Sequence, residues 1–434
     1  MKKFGLLILA VLLLSVVFIS CEKKAAPAAA AAPAADPNTP VTLSVWCWDV
    51  NFNVFAMKEA EKVYKRMKPN VSLDVQDITA IEEKLITALS ANETSALPDI
   101  ILQQDNSIEK FVTNFPKAYL PLNGKVDLSK FAQFKLAVGT VNGQNYGVPF
   151  DNGATAYFLR SDIVEQAGLK VSDFNDITWD RFIELGKQVK QRTGKSLISF
   201  GAGGGDLISL SLQSTGTWFF NDQGKPNFVG NPAIKEVINL YKNLLDSQVL
   251  LETADWNGYI ASLNNGTVVG TIQGCWIIGS ISAATDQAGK WAMVNTPRFG
   301  RIASGKNYSS QGGSGWMVMS HTKKADAAFD FLDKVWAGSV DFYETILPPS
   351  GAISTWLPAA NSTVYSQPQS FFAGQKIYED LMGYASNVPM VKYGLYNYEA
   401  RDAIGLAALN VIRGANIDTE IANAQKEVEF LMGM

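Results

Sequence analysis

The sequence predicts an α/β protein organised as two lobes. Two observations carry this: short apolar strands alternate with amphipathic helices from Val41 onward, and 434 residues exceed what one hydrophobic core usually organises. With 47% hydrophobic and 18% charged residues the chain has the composition of a folded protein and not of a disordered one.

Taken in order, Val41, Leu43 and Val45 alternate with Thr42, Ser44 and Trp46, the two-residue period of a strand. Ala60, Val63, Tyr64 and Met67 then fall on one face of a helix that Pro69-Asn70 should end. Val71, Leu73 and Val75 predict a second strand and residues 81–89 a second helix. Pro98-Asp99-Ile100-Ile101-Leu102 reads as a short apolar strand suited to a buried parallel sheet. Strand, helix, strand, helix, strand is the pattern of a doubly wound layer. The theme repeats later. Thr178 is placed to cap a helix carrying Phe182, Leu185, Gly186 and Val189 on one face. Ile234, Val237, Ile238, Tyr241 and Leu245 mark another helix, and Ala325, Ala328, Phe329, Leu332 and Trp336 a third. These apolar stripes are read as core. The glycine-rich tract 201–205 lacks the Lys-Ser or Lys-Thr ending of a phosphate loop, and Asp206 would repel phosphate, so a turn is expected there.

Residues 1–40 stand apart. Lys2 and Lys3 precede an uncharged apolar run over 4–19, shorter than the roughly 18–20 residues that span hydrocarbon. The run ends in Val17-Phe18-Ile19-Ser20-Cys21. A basic start, a short apolar core and a small residue before the break read as a secretory signal, and the cysteine makes the segment resemble a bacterial lipoprotein signal. That resemblance implies a signal peptide over 1–20, acylation of Cys21, and lipid anchoring at the periplasmic or extracytoplasmic face of the cell envelope. Over 21–40, Pro27, Pro33, Pro37 and Pro40 interrupt an alanine tract, which predicts a semi-extended Ala/Pro tether. Fully extended, its proline-broken part would reach roughly 50 Å at about 3.1 Å per residue.

Without Lys2 and Lys3 the basic count falls from 37 to 35 against 41 acidic groups, a net charge of −6. No run of Lys/Arg is longer than two residues, which argues against a nucleic-acid partner. Cys47 and Cys275 are expected as separate thiols. His321, the single histidine, is expected in an exposed loop, and without Cys/His spacing there is no zinc signature. No metal and no cofactor are expected.

Several motifs follow one another along the chain. They are Leu43-Ser44-Val45-Trp46-Cys47-Trp48-Asp49, Pro98-Asp99-Ile100-Ile101 with Gln104-Asp105, and Leu120-Pro121-Leu122. Asn142-Gly143-Gln144-Asn145-Tyr146-Gly147-Val148-Pro149 follows, then Tyr157-Phe158-Leu159-Arg160 and Glu165-Gln166-Ala167-Gly168-Leu169. Thr178-Trp179, Asn265-Gly266-Thr267, Gly274-Cys275-Trp276 and Gly312-Gly313-Ser314-Gly315-Trp316 complete the series. In this order they resemble the family 1 extracellular solute-binding proteins of ABC importers, the group that includes maltose-binding protein.

The resemblance implies a two-lobed periplasmic-binding-protein-like fold of type II, each lobe a mixed sheet flanked by helices. Crossover hinges are expected near 148–152, 295–306 and 347–352. The N-lobe would comprise 41–149 plus 305–347, and the C-lobe 150–304 plus 348–434. The implied function is that of a monomer, not an enzyme, that captures a mono- or oligosaccharide between its lobes and delivers it to the transmembrane subunits of an ABC permease.

Sugars present apolar C–H faces and rings of hydroxyls, so a site for them wants flat aromatics with planar donors and acceptors. Carried over by motif, the candidates are Trp48 and Asp49 after the first strand, and Gln104 and Asp105 at the end of the Pro98-led strand. Asp151 and Asn152 follow after the first hinge, then Trp218, Trp276 and the backbone N–H of Gly313. At least one of Tyr393, Tyr396 and Tyr398, with Tyr396 taken first, should add an aromatic wall. Of Trp46 and Trp48 only one is expected to stack. No catalytic residue is expected. Two rivals share this residue set. An exported glycoside hydrolase would need two carboxylates roughly 5–10 Å apart, which Asp49, Asp105 and Asp151 could supply. A polyamine-binding protein would use aromatics with Asp as a cation site.

Overall fold

Two sheets, each covered by helices, divide the structure, a computed structural model that describes residues 39–434. The signal segment, Cys21 and all but the last residues of the tether lie outside the described residues. Strand β1 (Val41–Cys47) buries Leu43, Val45 and Cys47 on one face, as its alternation dictates. Helix α1 (Asn53–Lys65) buries Ala56, Met57, Ala60 and Tyr64. It stops short of Met67, which is 47% exposed, because Pro69 biases the preceding backbone away from helix. Then come β2 (Val71–Asp77), α2 (Ile81–Ser90), β3 (Ile100–Gln104), α3 (Asp105–Asn114), β4 (Tyr119–Leu120), α4 (Gln133–Val138), the small hairpin β5 (Thr140–Val141) and β6 (Gln144–Asn145), and β7 (Val148–Asp151).

The second sheet is built by β8 (Thr155–Arg160), β9 (Ser196–Gly201), β10 (Leu250–Thr253), β11 (Val268–Gly274) and β12 (Trp291–Val294). Between them run α5 (Ser161–Gln166), α6 (Trp179–Thr193), α7 (Gly205–Gln213), α8 (Pro232–Asp246), α9 (Trp256–Asn264) and α10 (Ile277–Ser282). Thr178 caps α6 as predicted, its hydroxyl accepting from the Arg181 N–H at 3.3 Å. The chain then returns to the first sheet through β13 (Ser314–Met319), α11 (Ala325–Phe331), α12 (Val340–Ser350) and α13 (Leu357–Ala360). Helices α14 (Ile377–Ala385), α15 (Asn397–Ile412) and α16 (Ile417–Leu431) finish on the second lobe.

Among the described residues the first sheet runs β2-β1-β3-β13-β4, with β7 also on β13, and the second runs β10-β9-β11-β8-β12. Both are mixed. In the first, β2, β1 and β3 are parallel and β13 is antiparallel to its neighbours. The first core centres on fully buried Phe150, Trp316 and Trp336, with ring centroids 5.2–5.8 Å apart. The second gathers Tyr157, Phe174, Trp179 and Phe182 beside β8. Cys47 and Cys275 are buried free thiols, as expected, and burial pushes both thiols well up. His321 departs from expectation. It is half-buried, with Nε2 3.1 Å from the Leu97 carbonyl. Among the described residues no helix is long and apolar enough to cross a membrane.

The lobes are joined where three passages of chain meet. The first runs through 152–154 between β7 and β8, with Gly153 at φ +66°. On the second, Lys306 N–H donates to the Ser214 carbonyl at 2.8 Å and Ser309 Oγ to the Leu210 carbonyl at 2.6 Å. Residues 305–309 therefore stay on the second lobe, and the crossing lies at 310–313, later than the expected boundary. On the third, Ser354 bridges Asp151 and Trp356 bridges Phe131. Residues 354–360 thus rejoin the first lobe, where Trp356 and Ala359 enter the core, although the sequence reading gave this stretch to the second. Ala154 also pairs with Ser310, which ties the first two passages together.

Candidate functional site

A cavity of about 880 Å³ opens between the lobes, at the carboxyl ends of β1, β2 and β3. That is where open α/β sheets present loops to a ligand. From the first lobe it receives Trp48, Asp49, Asp77, Gln104 and Asn106, and from the crossing passages Asp151 and residues 310–314. The second lobe contributes Asp206, Gln213, Trp218, Trp256, Trp276, Tyr393, Tyr398 and Arg401.

Trp48 leaves β1 half-buried, its backbone N–H donating to Asn53 Oδ1 at 2.9 Å, and lines the cavity. Trp46 stays outside, its indole N–H bonded to Gln76 Oε1 at 3.1 Å. Asp49 adopts φ +66°, a left-handed conformation uncommon outside glycine. The turn is held by Asp49 Oδ1, which accepts from the Asn51 N–H at 2.9 Å, and by the Asp49 carbonyl, which accepts from Phe52 and Val54. Burial raises the Asp49 carboxyl above its usual range; the bonds from Asn51 and Phe52 oppose this and nearby Asp77 adds to it.

Asp151 is 1% exposed. Its Oδ1 accepts from Ser314 Oγ at 2.9 Å, while buried Oδ2 has no partner in the protein. Burial raises this carboxyl, with Lys135 opposing. Gln104 ends β3 with its side-chain oxygen against the Tyr398 hydroxyl. Gly313, at φ +87°, lines the cavity with its backbone. A Cβ there would collide with Asp105 and Lys135, which form an ion pair directly behind it. Trp218 and Trp276 also line the cavity. The Trp218 indole donates to Asn397 Oδ1 at 2.8 Å, and that of Trp276 to the Gln311 carbonyl at 2.9 Å. Gly274 and Gly312 leave room for Trp276, since a Cβ at either would press on its indole nitrogen.

Three predicted residues do not reach the cavity. Asp105 opens α3 but turns away into the ion pair with Lys135, where burial still holds its carboxyl above the usual range. Asn152 shapes the hinge: its Oδ1 accepts from the Ala154 N–H at 3.0 Å. Tyr396 packs against the second core, and Tyr393 and Tyr398 line the site instead.

Sequence reading missed Asp77, Asp206, Trp256 and Arg401. Asp77 ends β2 beside the recognised end of β1, so strand pairing would have suggested it. Trp256 follows the Asp255 cap of α9, is 46% exposed, and faces Trp276 with centroids 5.8 Å apart. Asp206 stands where the glycine tract meets α7. The charge that rejects phosphate also accepts hydroxyl protons. Burial raises its carboxyl, opposed by Arg401 and by bonds from Gln273 and Gln311.

The lobes touch on one side of the cavity. Lys110 of α3 pairs with Glu399 of α15 at 2.5 Å. The Tyr398 hydroxyl lies 3.0 Å from Asn106 Oδ1 and 3.3 Å from Glu82 Oε1.

Polar strand ends on one wall and aromatics on the other suit the capture of a small solute, and comparison with known proteins agrees. The sequence profile of the bacterial extracellular solute-binding proteins matches residues 57–356. The chain belongs to this family. A lactose-binding protein of Rhizobium radiobacter is 37% identical over 378 residues, covering 87% of this chain and 89% of the relative. An arabinooligosaccharide-binding protein of Halalkalibacterium halodurans is 24% identical over 330 residues, 73% of this chain and 71% of that one. Among solved structures, the GacH receptor of Streptomyces glaucescens superposes with a TM-score of 0.76 at 18% identity, over 91% of this chain and 99% of that chain. The transporter-associated binding protein of B. animalis subsp. lactis Bl-04, in complex with β-1,6-galactobiose, gives 0.74 at 21% identity, over 89% and 96%. These likenesses establish the two-lobed binding-protein fold. A solute-binding protein of this family works outside the cytoplasm.

Proposed function

We propose that this solute-binding protein captures a neutral di- or oligosaccharide between its lobes and delivers it to an ABC permease, without chemistry on the sugar. The observation that carries the proposal is the make-up of the cavity. Trp48, Trp256 and Trp276 offer faces for sugar C–H surfaces, and Asp49, Asp77, Asp151 and Asp206 offer acceptors for hydroxyls. Four carboxylates against one guanidinium, Arg401, disfavour an anionic solute. The relatives named for lactose and arabinooligosaccharide support the same class. Closure would bring the polar wall of one lobe onto a sugar stacked on the other, a hinge transition about the joined passages. Cys21, acylated, would keep the protein at the membrane, where more than one acyl chain is needed for stable anchoring.

Titration calorimetry against lactose, galactobiose, arabinobiose, spermidine and glucuronic acid tests the reading. Saturable binding of a neutral sugar recovered intact is the expected outcome, and at 100 times its Kd that sugar should add about 2.7 kcal/mol of stability. Sugar cleavage would replace binding with hydrolysis. A response to spermidine alone would replace sugar with a cation. Fractionation tests the anchor: Cys21→Ala should move the protein from the membrane to the soluble fraction.

A further inference from the structure

The glycine-rich turn before α7 floors a second cavity, beside the one described. It holds about 430 Å³ over Gly201, Gly203 and Gly205, with Phe200, Leu406 and Leu409 lining it as well. Asp206 and Arg401 line both cavities. We propose that the cleft continues past Arg401 into this second compartment, which takes the next residue of an oligosaccharide whose leading part occupies the main cavity. This rests on the sugar-binding reading and adds a length preference to it.

Arg401 forms the partition. Its guanidinium lies 4.9 Å from the centroid of the Tyr398 ring, on the main-cavity side. Asp402 Oδ1 accepts from Nε at 3.0 Å and from Nη2 at 2.9 Å, which fixes the plane of the group. A Cβ on Gly205 would stand 3.3 Å from Arg401 Cδ and Nε, so a side chain there would crowd the partition. The floor is backbone. At Gly201 and Gly203 nothing lies within 4 Å of where a Cβ would be, so no side chain narrows the compartment over its floor.

The chemistry of the compartment matches a sugar ring. Leu406 is 51% exposed, an apolar group of α15 that a C–H face would cover. Asp206 and Asp402 present carboxylate acceptors for hydroxyl groups. Two carboxylates beside one guanidinium favour a neutral hydroxylated group over an anion.

Matched disaccharide and trisaccharide pairs of the galactosyl and arabinosyl series, titrated into the protein, test the extension. In the series that binds, the trisaccharide should bind at least fivefold tighter than its disaccharide. Leu406→Trp, which fills the compartment from an exposed helix position, should remove that gain and leave disaccharide affinity within twofold. An unchanged thermal melt would show that the variant folds. Equal or weaker binding of the trisaccharide by the unaltered protein overturns the proposal, as does a Leu406→Trp variant that weakens both lengths alike. If no saccharide of either length binds, the sugar-binding reading itself fails and the extension falls with it.

Discussion

The two walls of the cleft are built differently. The first-lobe wall is the carboxyl ends of parallel strands, which bring Asp49, Asp77 and Gln104 to the ends of three adjacent strands. The second-lobe wall is largely aromatic: Trp218, Trp256, Trp276 and the pair Tyr393 and Tyr398 arrive from four stretches of chain. Trp218, Trp276 and Tyr398 are held by indole or hydroxyl bonds, and Trp256 and Tyr393 by ring contacts. The first wall is suited mainly to hydrogen-bonding, with Trp48 as its stacking face, and the second mainly to stacking, with Asp206 and Arg401 as its charged groups. A sugar needs both, and the two walls face one cavity.

The division can be broken by substitution, the largest effect coming from the stacking wall. Trp276→Ala should cost about 2–4 kcal/mol of sugar binding, the range of a central aromatic anchor, while circular dichroism stays native. Unchanged affinity in calorimetry would remove Trp276 from the site. On the bonding wall, Asp49→Asn keeps a residue that tolerates the left-handed turn and removes only the charge. A loss of about 1–2 kcal/mol is expected, because a charge-assisted bond becomes a neutral one. An effect as large as that of Trp276→Ala would erase the difference between the walls. Across the cleft, Tyr398→Phe deletes the hydroxyl that meets Gln104 and Asn106. It should weaken binding by about 1 kcal/mol, through less favourable closure.

The smallest effect is on pH. Burial raises the folded-state pKa of Asp151 above its unfolded value near 3.9. A raised carboxyl stabilises the fold most below the unfolded pKa, and that contribution is lost as pH rises through the folded value. The Asp151 contribution should therefore lower the melting temperature of the ligand-free protein as pH rises from about 4. Asp151→Asn should flatten the slope. A variant that melts with the same pH slope as the parent would mean that Asp151 ionises freely.

The same contrast explains what the sequence made legible. Strand alternation locates β1 and β2, and an N-cap residue ahead of an apolar stripe locates the start of α6 at Thr178, because local pattern determines local geometry. Asp49 and Gln104 rest instead on motifs shared with the resembled family. Choosing Tyr393 and Tyr398 over Tyr396 depends on how the irregular stretch through Tyr393 and Tyr396 turns into the first residues of α15, which no periodicity encodes. Asp105 sits next to Gln104, yet it is drawn away by Lys135, a partner 30 residues on. The late crossings were misplaced for the same reason. The bonds holding 305–309 and 354–360 run to distant chain, at Leu210, Ser214 and Phe131.

Strand β1 has one further consequence. The described chain reaches it at Val41, while the cleft lies beyond its other end at Cys47. Seven residues at about 3.3 Å each separate the two by roughly 20 Å. A pull on the N-terminus would load a strand flanked on both sides by parallel partners, not the passages that join the lobes. Opening and closing would then be mechanically insulated from whatever holds the protein in place.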